Sequence, residues 1–347
     1  MIRKSMWVLL GLVPLDLILV AAHVSGTILF ALSAVALIPL AWLIGEATES
    51  AGAYTGPVVG GLLNASFGNA PELIFAVFAV RDGLFEVVRG SLTGSVIGNL
   101  LLVLGFSLLL GGRARLDRAS AFTSIGGVAA AFALFLLPAA IHWANPNDHS
   151  LLTRVSLPVC GFLLLVYVLM LWHSIRREIK LAHVHADRPE KGEEPVWSLK
   201  GSIIALAAAT AATAVATEIL TSTIEQFSAR VGMSSFFAAA IIVAIVANAA
   251  EHGGAVVIAM NGKVSLASEI ALQSSSQVAL LVLPAVVFAS LLLKPLPLAF
   301  THLEMIGLGT AVILPALLLA SGKTSSRKGA YLIAAYGGIA ALFFLAS

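Results

Sequence analysis

Long apolar segments dominate this sequence and restrict its fold more than any other feature. Only 11% of the 347 residues are charged and 59% are hydrophobic, whereas a soluble domain carries about 25% charged residues. A membrane-spanning helix needs about 20 mostly apolar residues. We therefore predict an all-α, polytopic membrane protein with about 11 transmembrane helices, at residues 6–22, 27–48, 54–80, 84–110, 120–141, 151–174, 199–224, 235–260, 264–293, 299–320 and 328–346.

The charged residues predict an orientation and exclude one class of function. The net charge is only +2 and the basic residues fall in short loops, so nucleic-acid binding has no support. Most of the 20 Lys and Arg residues lie on the cytoplasmic side if the N-terminus is cytoplasmic. The positive-inside rule therefore predicts a multi-pass integral membrane protein with that orientation.

A polar stretch at 175–198 divides the chain into two halves. It is the only long polar segment and contains Pro189 and Pro195, which predicts a solvated cytoplasmic linker. We expect an extra N-terminal transmembrane helix at 1–24, a first repeat at 27–174 and a second repeat at 199–347. Five helices in each half, numbered 2–6 and 7–11, is an odd number, so the two halves are expected to have inverted topology.

Each half carries an Asn and a Glu three residues apart inside strongly apolar sequence. These pairs are Asn69 with Glu72 and Asn248 with Glu251, and the second copy lies 179 residues after the first. A carboxylate at the middle of a membrane helix costs roughly 2.5–3.5 kcal/mol on insertion scales, so it rarely occurs there without a function. The duplication predicts an ion site shared by the two halves of a transporter.

Further polar positions recur in both halves. Ala-Thr-Glu ends at Glu49 in predicted helix 2 and at Glu218 in predicted helix 7, which suggests a proton relay or a cation entrance. Downstream of the motif glutamates, polar side chains four residues apart share one helical face. They occur in nearly the same register in both halves, at Ser95 and Asn99 in the first and at Gln273 and Gln277 in the second.

The motifs also predict irregular backbone. Pro71 has no N–H, so the carbonyl of Phe67 loses its helical donor and carbonyls near Gly68 become available to an ion. The second half has no proline at the matching position, but Gly253–Gly254 permits a similar irregularity there.

The predicted ligands are all oxygen atoms, and this favours Ca²⁺. Calcium takes 6–8 hard oxygens in flexible geometry, and two glutamates balance its charge. Mg²⁺ demands stricter octahedral geometry, and transition metals favour His and Cys clusters. Na⁺ would need less negative charge than two glutamates supply, unless several ions share the site.

Protons can compete for the same groups. His252 follows Glu251 directly, and an unperturbed imidazole titrates near pH 6.5. Carboxylates can also exchange a proton for a metal ion. We therefore expect proton coupling through Glu72, Glu251, His252, Glu49 and Glu218, and competition between H⁺ and Ca²⁺ is the minimal chemistry of antiport.

Three motifs carry a resemblance to a known family. Gly-Asn-Ala-Pro-Glu-Leu at 68–73, Gly-Ser-Val-Ile-Gly-Asn-Leu-Leu at 94–101 and Asn-Ala-Ala-Glu-His at 248–252 resemble the paired alpha-repeats of the calcium/cation antiporter superfamily. The chain is most similar to its Ca²⁺/H⁺ exchanger (CAX) branch. The resemblance implies alternating access, in which predicted helices 2 and 7 move against the other repeat helices.

The resemblance also implies which residues hold the ion. Glu72 and Glu251 would ligate Ca²⁺, and the surrounding polar residues would be Asn69, Ser95, Asn99, Asn248, Gln273 and Gln277. Backbone carbonyls at Gly68 and Ala247 would complete the set, although the family usually has Gly where this chain has Ala247. Sodium-coupled relatives usually carry an Asp in the polar stripe of the second repeat, so the glutamines here favour proton coupling.

Other functions fit the sequence less well. Na⁺/Ca²⁺ exchange within the same superfamily is the main alternative. A passive cation channel would need a continuous polar pore or a carbonyl filter, and the polar groups here cluster at one depth. An intramembrane hydrolase is disfavoured because no His-Glu-x-x-His stretch occurs. We expect no enzymatic activity and no cofactor. The expected partners are Ca²⁺, H⁺ and the bilayer, and the sequence leaves a homo-oligomer open.

Overall fold

Helices make up nearly all of the protein in the computed structural model, which describes residues 2–146, 148–184 and 196–346. The helices are α1 (Ile2–Leu9), α2 (Leu12–Ala21), α3 (Gly26–Phe67), α4 (Ala70–Asp82), α5 (Phe85–Ile97), α6 (Leu104–Gly111), α7 (Arg118–Ala144), α8 (His149–Val184), α9 (Leu199–Val231), α10 (Ser235–Phe237), α11 (Ala244–Ala247), α12 (Ala249–Met260), α13 (Val264–Gln277), α14 (Leu283–Ser290), α15 (His302–Leu319) and α16 (Ser326–Leu345). Three π-helical segments connect some of them: π1 (Gly98–Val103), π2 (Ala238–Val243) and π3 (Val278–Val282).

The described helices are typical of a polytopic membrane protein. Nine helical stretches among the described residues are long and apolar enough to cross a membrane, some of them made of several named segments, as Phe85–Gly111 is of α5, π1 and α6. The bent pair Ser235–Ala247 and Ala249–Met260 would make ten. The predicted span at 54–80 is not one helix, because α3 bends at Gly56 and the chain leaves helical geometry again before α4. The predicted all-α membrane fold is confirmed, with one predicted span divided into two pieces.

A bend within α3 separates the predicted second and third spans. Gly56 has φ 79° and ψ 173°, a left-handed conformation that favours glycine. The chain turns back on itself there, so that a Cβ on Gly60 would lie 3.2 Å from the Cα of Gly52. Small residues on both sides of the bend therefore permit the close approach.

The two halves repeat the same succession of elements in opposite directions. Two close contacts show this: a Cβ on Gly83 would lie 3.0 Å from Lys294 Nζ, and one on Gly111 would lie 2.5 Å from Val264 Cγ2. The start of α5 thus lies beside the end of α14, and the end of α6 lies beside the start of α13. Equivalent helices of the two halves run antiparallel, as an inverted repeat requires.

The segments outside the repeats differ in detail from the prediction. The N-terminal segment forms two short helices, α1 and α2, and α2 is tied to α3 because Ser33 donates a 2.5 Å hydrogen bond to Asp16. Helix α8 continues past the predicted end at 174 to Val184. Residues 185–195 of the predicted linker lie outside the described residues, and its first ten residues, 175–184, belong to α8.

Glycines bring α5 very close to the second half. A Cβ on Gly94 would lie 2.0 Å from the carbonyl oxygen of Ala240, and one on Gly90 would lie 2.8 Å from that of Phe236. Helix α5 therefore packs backbone to backbone against α10 and π2, the elements that lead into the second motif. This contact holds the polar residues that follow Gly94 in a fixed register.

A buried ion pair also joins the two halves. Arg89 of α5 lies 3.4 Å from Glu304 of α15, and the two side chains are only 10% and 1% exposed. Glu304 also accepts a 2.7 Å hydrogen bond from the backbone N–H of Thr301, as part of the capping box at the start of α15. Glu304 therefore links the position of α5 to the start of α15.

Candidate ion-binding site

Both sequence motifs lie where a helix breaks. Asn69 has φ −107° and ψ 19°, and Asn248 has φ −98° and ψ 4°, so both residues leave helical geometry at the same motif position. New helices start one residue later, at Ala70 and Ala249. The predicted irregularity in the second half is therefore misplaced, because Gly253 and Gly254 lie inside α12.

These breaks place each motif glutamate in the first turn of a new helix. Glu72 is in the first turn of α4 and Glu251 is in the first turn of α12. The first turn exposes unpaired backbone N–H groups and carries a partial positive charge, which favours carboxylates. The same break therefore supplies both irregular backbone and a favourable position for a negative charge in apolar surroundings.

The Glu72 carboxyl is buried without a partner. The residue is 4% exposed, and neither carboxyl oxygen has a hydrogen-bond partner among the described residues. A buried charged group without a partner is strongly destabilising, so it needs either a proton or a cation.

Glu251 is held by a chain of hydrogen bonds. Ser274 Oγ donates to Glu251 Oε2 at 3.1 Å, and Asn99 Nδ2 donates to Ser274 Oγ at 3.0 Å. His252 Nε2 lies 2.8 Å from Asn99 Oδ1, which places the hydrogen on Nε2 because a carbonyl oxygen only accepts. The predicted histidine is therefore linked to the second glutamate through Asn99 and Ser274.

The remaining amides also bridge the halves. Asn69 Nδ2 donates to Gln277 Oε1 at 2.7 Å, and Asn248 Nδ2 donates to Ser95 Oγ at 3.1 Å. Each of these four side chains is buried. A residue from one motif thus contacts the polar stripe of the opposite half in both cases, as the predicted shared site requires.

Sequence reasoning misplaced one residue of the polar stripe. Gln273 is exposed and makes none of these contacts, whereas the neighbouring Ser274 is 2% exposed and joins Glu251 to Asn99. The spacing of 179 residues between the two motifs could have identified Ser274, because the same spacing relates it to Ser95. The starts of α5 and α13, at Phe85 and Val264, have this spacing too.

The predicted backbone ligands flank the breaks. Gly68 precedes the first break and is exposed, and Ala247 precedes the second and is buried. Glu251 and His252 are half-buried, whereas Glu72 is buried.

The other two predicted proton-coupling residues lie outside the buried cluster. Glu218 of α9 is 46% exposed and forms a 2.7 Å ion pair with Arg81 of α4. Glu49 is exposed on α3. The pairing of Glu218 with Arg81 was not predicted from the sequence.

The assembled side chains offer hard oxygen ligands. The set comprises two carboxylates, amide groups and hydroxyl groups, which suit Ca²⁺ better than a softer metal. Among the described residues no group of three or more His, Cys, Asp or Glu side chains could hold a metal ion.

Comparison with known sequences gives a match over both halves. The family model described as sodium/calcium exchanger protein matches residues 25–176 and 201–345. The Ca²⁺/H⁺ antiporter ChaA of Bacillus subtilis is 38% identical over 341 residues, covering 96% of each chain. A vacuolar calcium ion transporter of Schizosaccharomyces pombe is 35% identical over 344 residues, covering 97% of this chain and 84% of the relative.

Solved structures show the same fold. The structure of native YfkE has a TM-score of 0.83 at 34% identity, covering 98% of this chain and 99% of that chain. A crystal structure of the H⁺/Ca²⁺ exchanger CAX has a TM-score of 0.73 at 14% identity, covering 99% and 92% of the two chains. The second comparison supports the fold alone.

Proposed function

Because the chain belongs to the sodium/calcium exchanger protein family, and within it to the membrane Ca²⁺/H⁺ antiporters, we propose that it exchanges cytosolic Ca²⁺ for H⁺ across a membrane. The observation that carries this proposal is the pair of glutamates at two matching helix breaks, one of them buried without a partner. Ca²⁺ and H⁺ bind the same carboxylates in turn, so that loading one releases the other.

The two glutamates have different roles in this proposal. Glu72 has no hydrogen bond to lose, so it alternates directly between a proton and the ion. Glu251 is oriented by Ser274, whose hydroxyl can turn from the carboxylate toward another acceptor. His252 fixes the orientation of the Asn99 amide and thereby links its own protonation to the position of Glu251.

Alternating access is supported by a contrast in packing. Helices α3 and α9 pack on each other, with Phe30 and Phe227 stacked at 4.1 Å. Between α9 and α4 lies an apolar crevice of about 650 Å³, lined in part by Ile74, Phe78 and Leu206. Since α5 packs backbone to backbone on π2, we assign α3 and α9 as the moving pair and α5 and π2 as part of the fixed core. Glu49 and Glu218 lie on the moving helices, where we assign them to proton or cation entry.

The orientation belongs to the same proposal. Seven of the 15 Lys and Arg residues outside the linker lie in the turns after α6, α12 and α15 or at the helix starts that follow them, whereas five lie toward the opposite end. By the positive-inside rule this end, and with it the N-terminus, is cytoplasmic. Accessibility of single cysteines introduced at Ser321 and Pro146 to a membrane-impermeant maleimide would test it, in a Cys160→Ala background.

The transport proposal is tested with purified protein in proteoliposomes. Uptake of ⁴⁵Ca²⁺ is measured under an imposed pH gradient and, separately, under an imposed Na⁺ gradient. We expect uptake driven by the pH gradient, and its loss in Glu72→Gln and in Glu251→Gln. Glu86→Gln is the matched control, because Glu86 also lies in the first turn of a helix but is exposed.

Two results would contradict the proposal. Uptake that is driven by Na⁺ and is indifferent to pH would assign Na⁺/Ca²⁺ exchange instead. Full uptake in both glutamine variants would remove the assigned site while leaving the family membership intact.

A further inference from the structure

Three turns at one end of the molecule carry a concentrated set of basic side chains. The turns are 112–117, 261–263 and 320–325, and together with the helix starts that follow them they form what we call the basic rim. Its members are Arg113, Arg115, Arg118, Lys263, Lys323, Arg327 and Lys328. All of them except Lys328 are exposed. The one acidic residue of these turns, Asp117, caps α7 by accepting a 3.0 Å hydrogen bond from the backbone N–H of Ala119.

The first and third of these turns are tied together, although they come from opposite halves. Arg115 and Lys323 face each other in an isolated antiparallel bridge. Thr324 is buried and accepts a 2.7 Å hydrogen bond from the backbone N–H of Ala114, while its own hydroxyl donates to the carbonyl of Gly112 at 2.8 Å. The backbone bridge and the Thr324 hydrogen bonds therefore fix the turns that carry the basic residues. None of these contacts involves a charged group.

The side chains of Arg118 and Lys328 both contact the third turn of the rim, 320–325. Gly322 has φ +67°, and a Cβ there would lie 2.7 Å from Arg118 Cγ, so the arginine stem covers the turn. The Lys328 ammonium donates to the carbonyl oxygen of Lys323 and to Ser321 Oγ, and it thus closes the end of the turn. The other rim side chains keep their charged ends at the surface.

Exposed apolar side chains lie directly beside these charges. Leu110, Phe122 and Tyr331 are exposed within about one helical turn of the rim, on α6, α7 and α16. The Arg118 guanidinium lies over the Phe122 ring at 6.0 Å. Basic residues next to exposed aromatic and aliphatic side chains at the ends of spanning helices are typical of the membrane–water interface.

We propose that the basic rim binds the headgroups of anionic phospholipids, with the acyl chains covering the apolar residues beneath it. Two observations favour a lipid over a free anion. The charges lie where helices leave the membrane, and the surface below them is apolar. The headgroup of an anionic lipid contacts the basic side chains while its acyl chains contact the apolar surface. The site joins turns of both halves, so a bound lipid stabilises the assembled molecule. This proposal does not depend on the transported ion.

The test uses the full-length protein in a mild detergent and native mass spectrometry. Phosphatidylglycerol and phosphatidylcholine with identical acyl chains are added in equal amounts. We expect the wild type to retain phosphatidylglycerol at least about threefold over phosphatidylcholine, and added salt to reduce this preference. Equal retention of the two lipids by the wild type overturns the proposal without recourse to any variant.

Matched variants locate the site. Arg115→Gln, Lys323→Gln and Arg327→Gln are combined in one variant, which leaves the Thr324 contacts in place. The control combines Arg154→Gln, Arg230→Gln and Lys294→Gln, three exposed basic residues at the opposite end. We expect the preference for phosphatidylglycerol to be lost in the first variant and kept in the control. Equal loss in both variants overturns the assignment to the rim, and so does full displacement of the lipid by millimolar inorganic phosphate.

Discussion

Asn69 of the first half donates a 2.7 Å hydrogen bond to Gln277 of the second half. The donor lies at a helix break and the acceptor is the last residue of α13 before π3. Asn248 at the second break likewise donates to Ser95 of the first half, so each break is joined to a side chain from the other half. The two halves thus complete one polar cluster and do not form two separate ones.

The hydroxyl of Ser274 should be needed for high affinity. Ser274→Ala removes the hydrogen bond to Glu251 and the acceptor for Asn99. A hydrogen bond to a charged group contributes about 1.5–3 kcal/mol, so we expect the KM for Ca²⁺ to rise about tenfold or more. Ser275→Ala is the control, because that hydroxyl donates only to the backbone of its own helix, at Ala271. An unchanged KM in Ser274→Ala would contradict the role assigned to this residue.

The close packing of α5 should be sensitive to one methyl group. Gly94→Ala places a Cβ against the Ala240 carbonyl oxygen, so α5 must move away from π2. Overpacking of this kind costs about 1–3 kcal/mol, and we expect a lower Tm and slower transport. In Gly98→Ala the new Cβ meets nothing within 4 Å, and we expect the Tm to be unchanged or higher. Equal effects of the two substitutions on thermal unfolding in detergent would refute the packing argument.

The buried Arg89–Glu304 ion pair should contribute more to the free energy of unfolding than the exposed Arg81–Glu218 pair. Arg89→Met leaves Glu304 buried without its cation, which costs about 3–5 kcal/mol in pairs of this kind. Arg81→Gln removes an exposed pair with Glu218, which costs at most about 1 kcal/mol. Thermal unfolding in detergent compares the two, and a larger loss in Arg81→Gln would reverse the ranking.

Calcium binding should weaken as the pH falls. Ca²⁺ occupies carboxylates that must first lose their protons, so each proton displaced changes the apparent Kd by about tenfold per pH unit. With Glu72 and Glu251 both titrating, the limiting slope of log Kd against pH is about −2 at low pH, and it becomes about −1 in Glu251→Gln. Equilibrium ⁴⁵Ca²⁺ binding across a pH series measures both slopes. A Kd that is independent of pH would exclude competition between the two ions.

Much of the site could be predicted from sequence because membrane burial makes polar residues conspicuous. Asn69, Glu72, Asn248 and Glu251 stand out within apolar segments, and all four lie at or beside the helix breaks. The position of the second break could not be inferred in the same way. Glycine permits irregular backbone without requiring it, and Gly253 remains helical while the chain breaks at Asn248.

The register of the polar stripes was harder to predict because these helices are not regular. Ser95 and Asn99 are four residues apart, but Asn99 lies in π1, where the hydrogen bonds widen from i+4 to i+5. Serine is common in apolar helices, so Ser274 gives a weaker signal than the neighbouring Gln273. The Arg81–Glu218 pair depends on how α4 and α9 meet, and sequence spacing holds no information on that contact.

The antiparallel arrangement of the halves has a consequence for ancestry. A half that supplies only part of its own site gains a complete one when a second copy enters the same bilayer the opposite way round. An ancestral half could meet this requirement as a homodimer only if it was made in both orientations. In a single chain the two halves are present one to one, and they can differ at matching positions, as His252 does from Leu73.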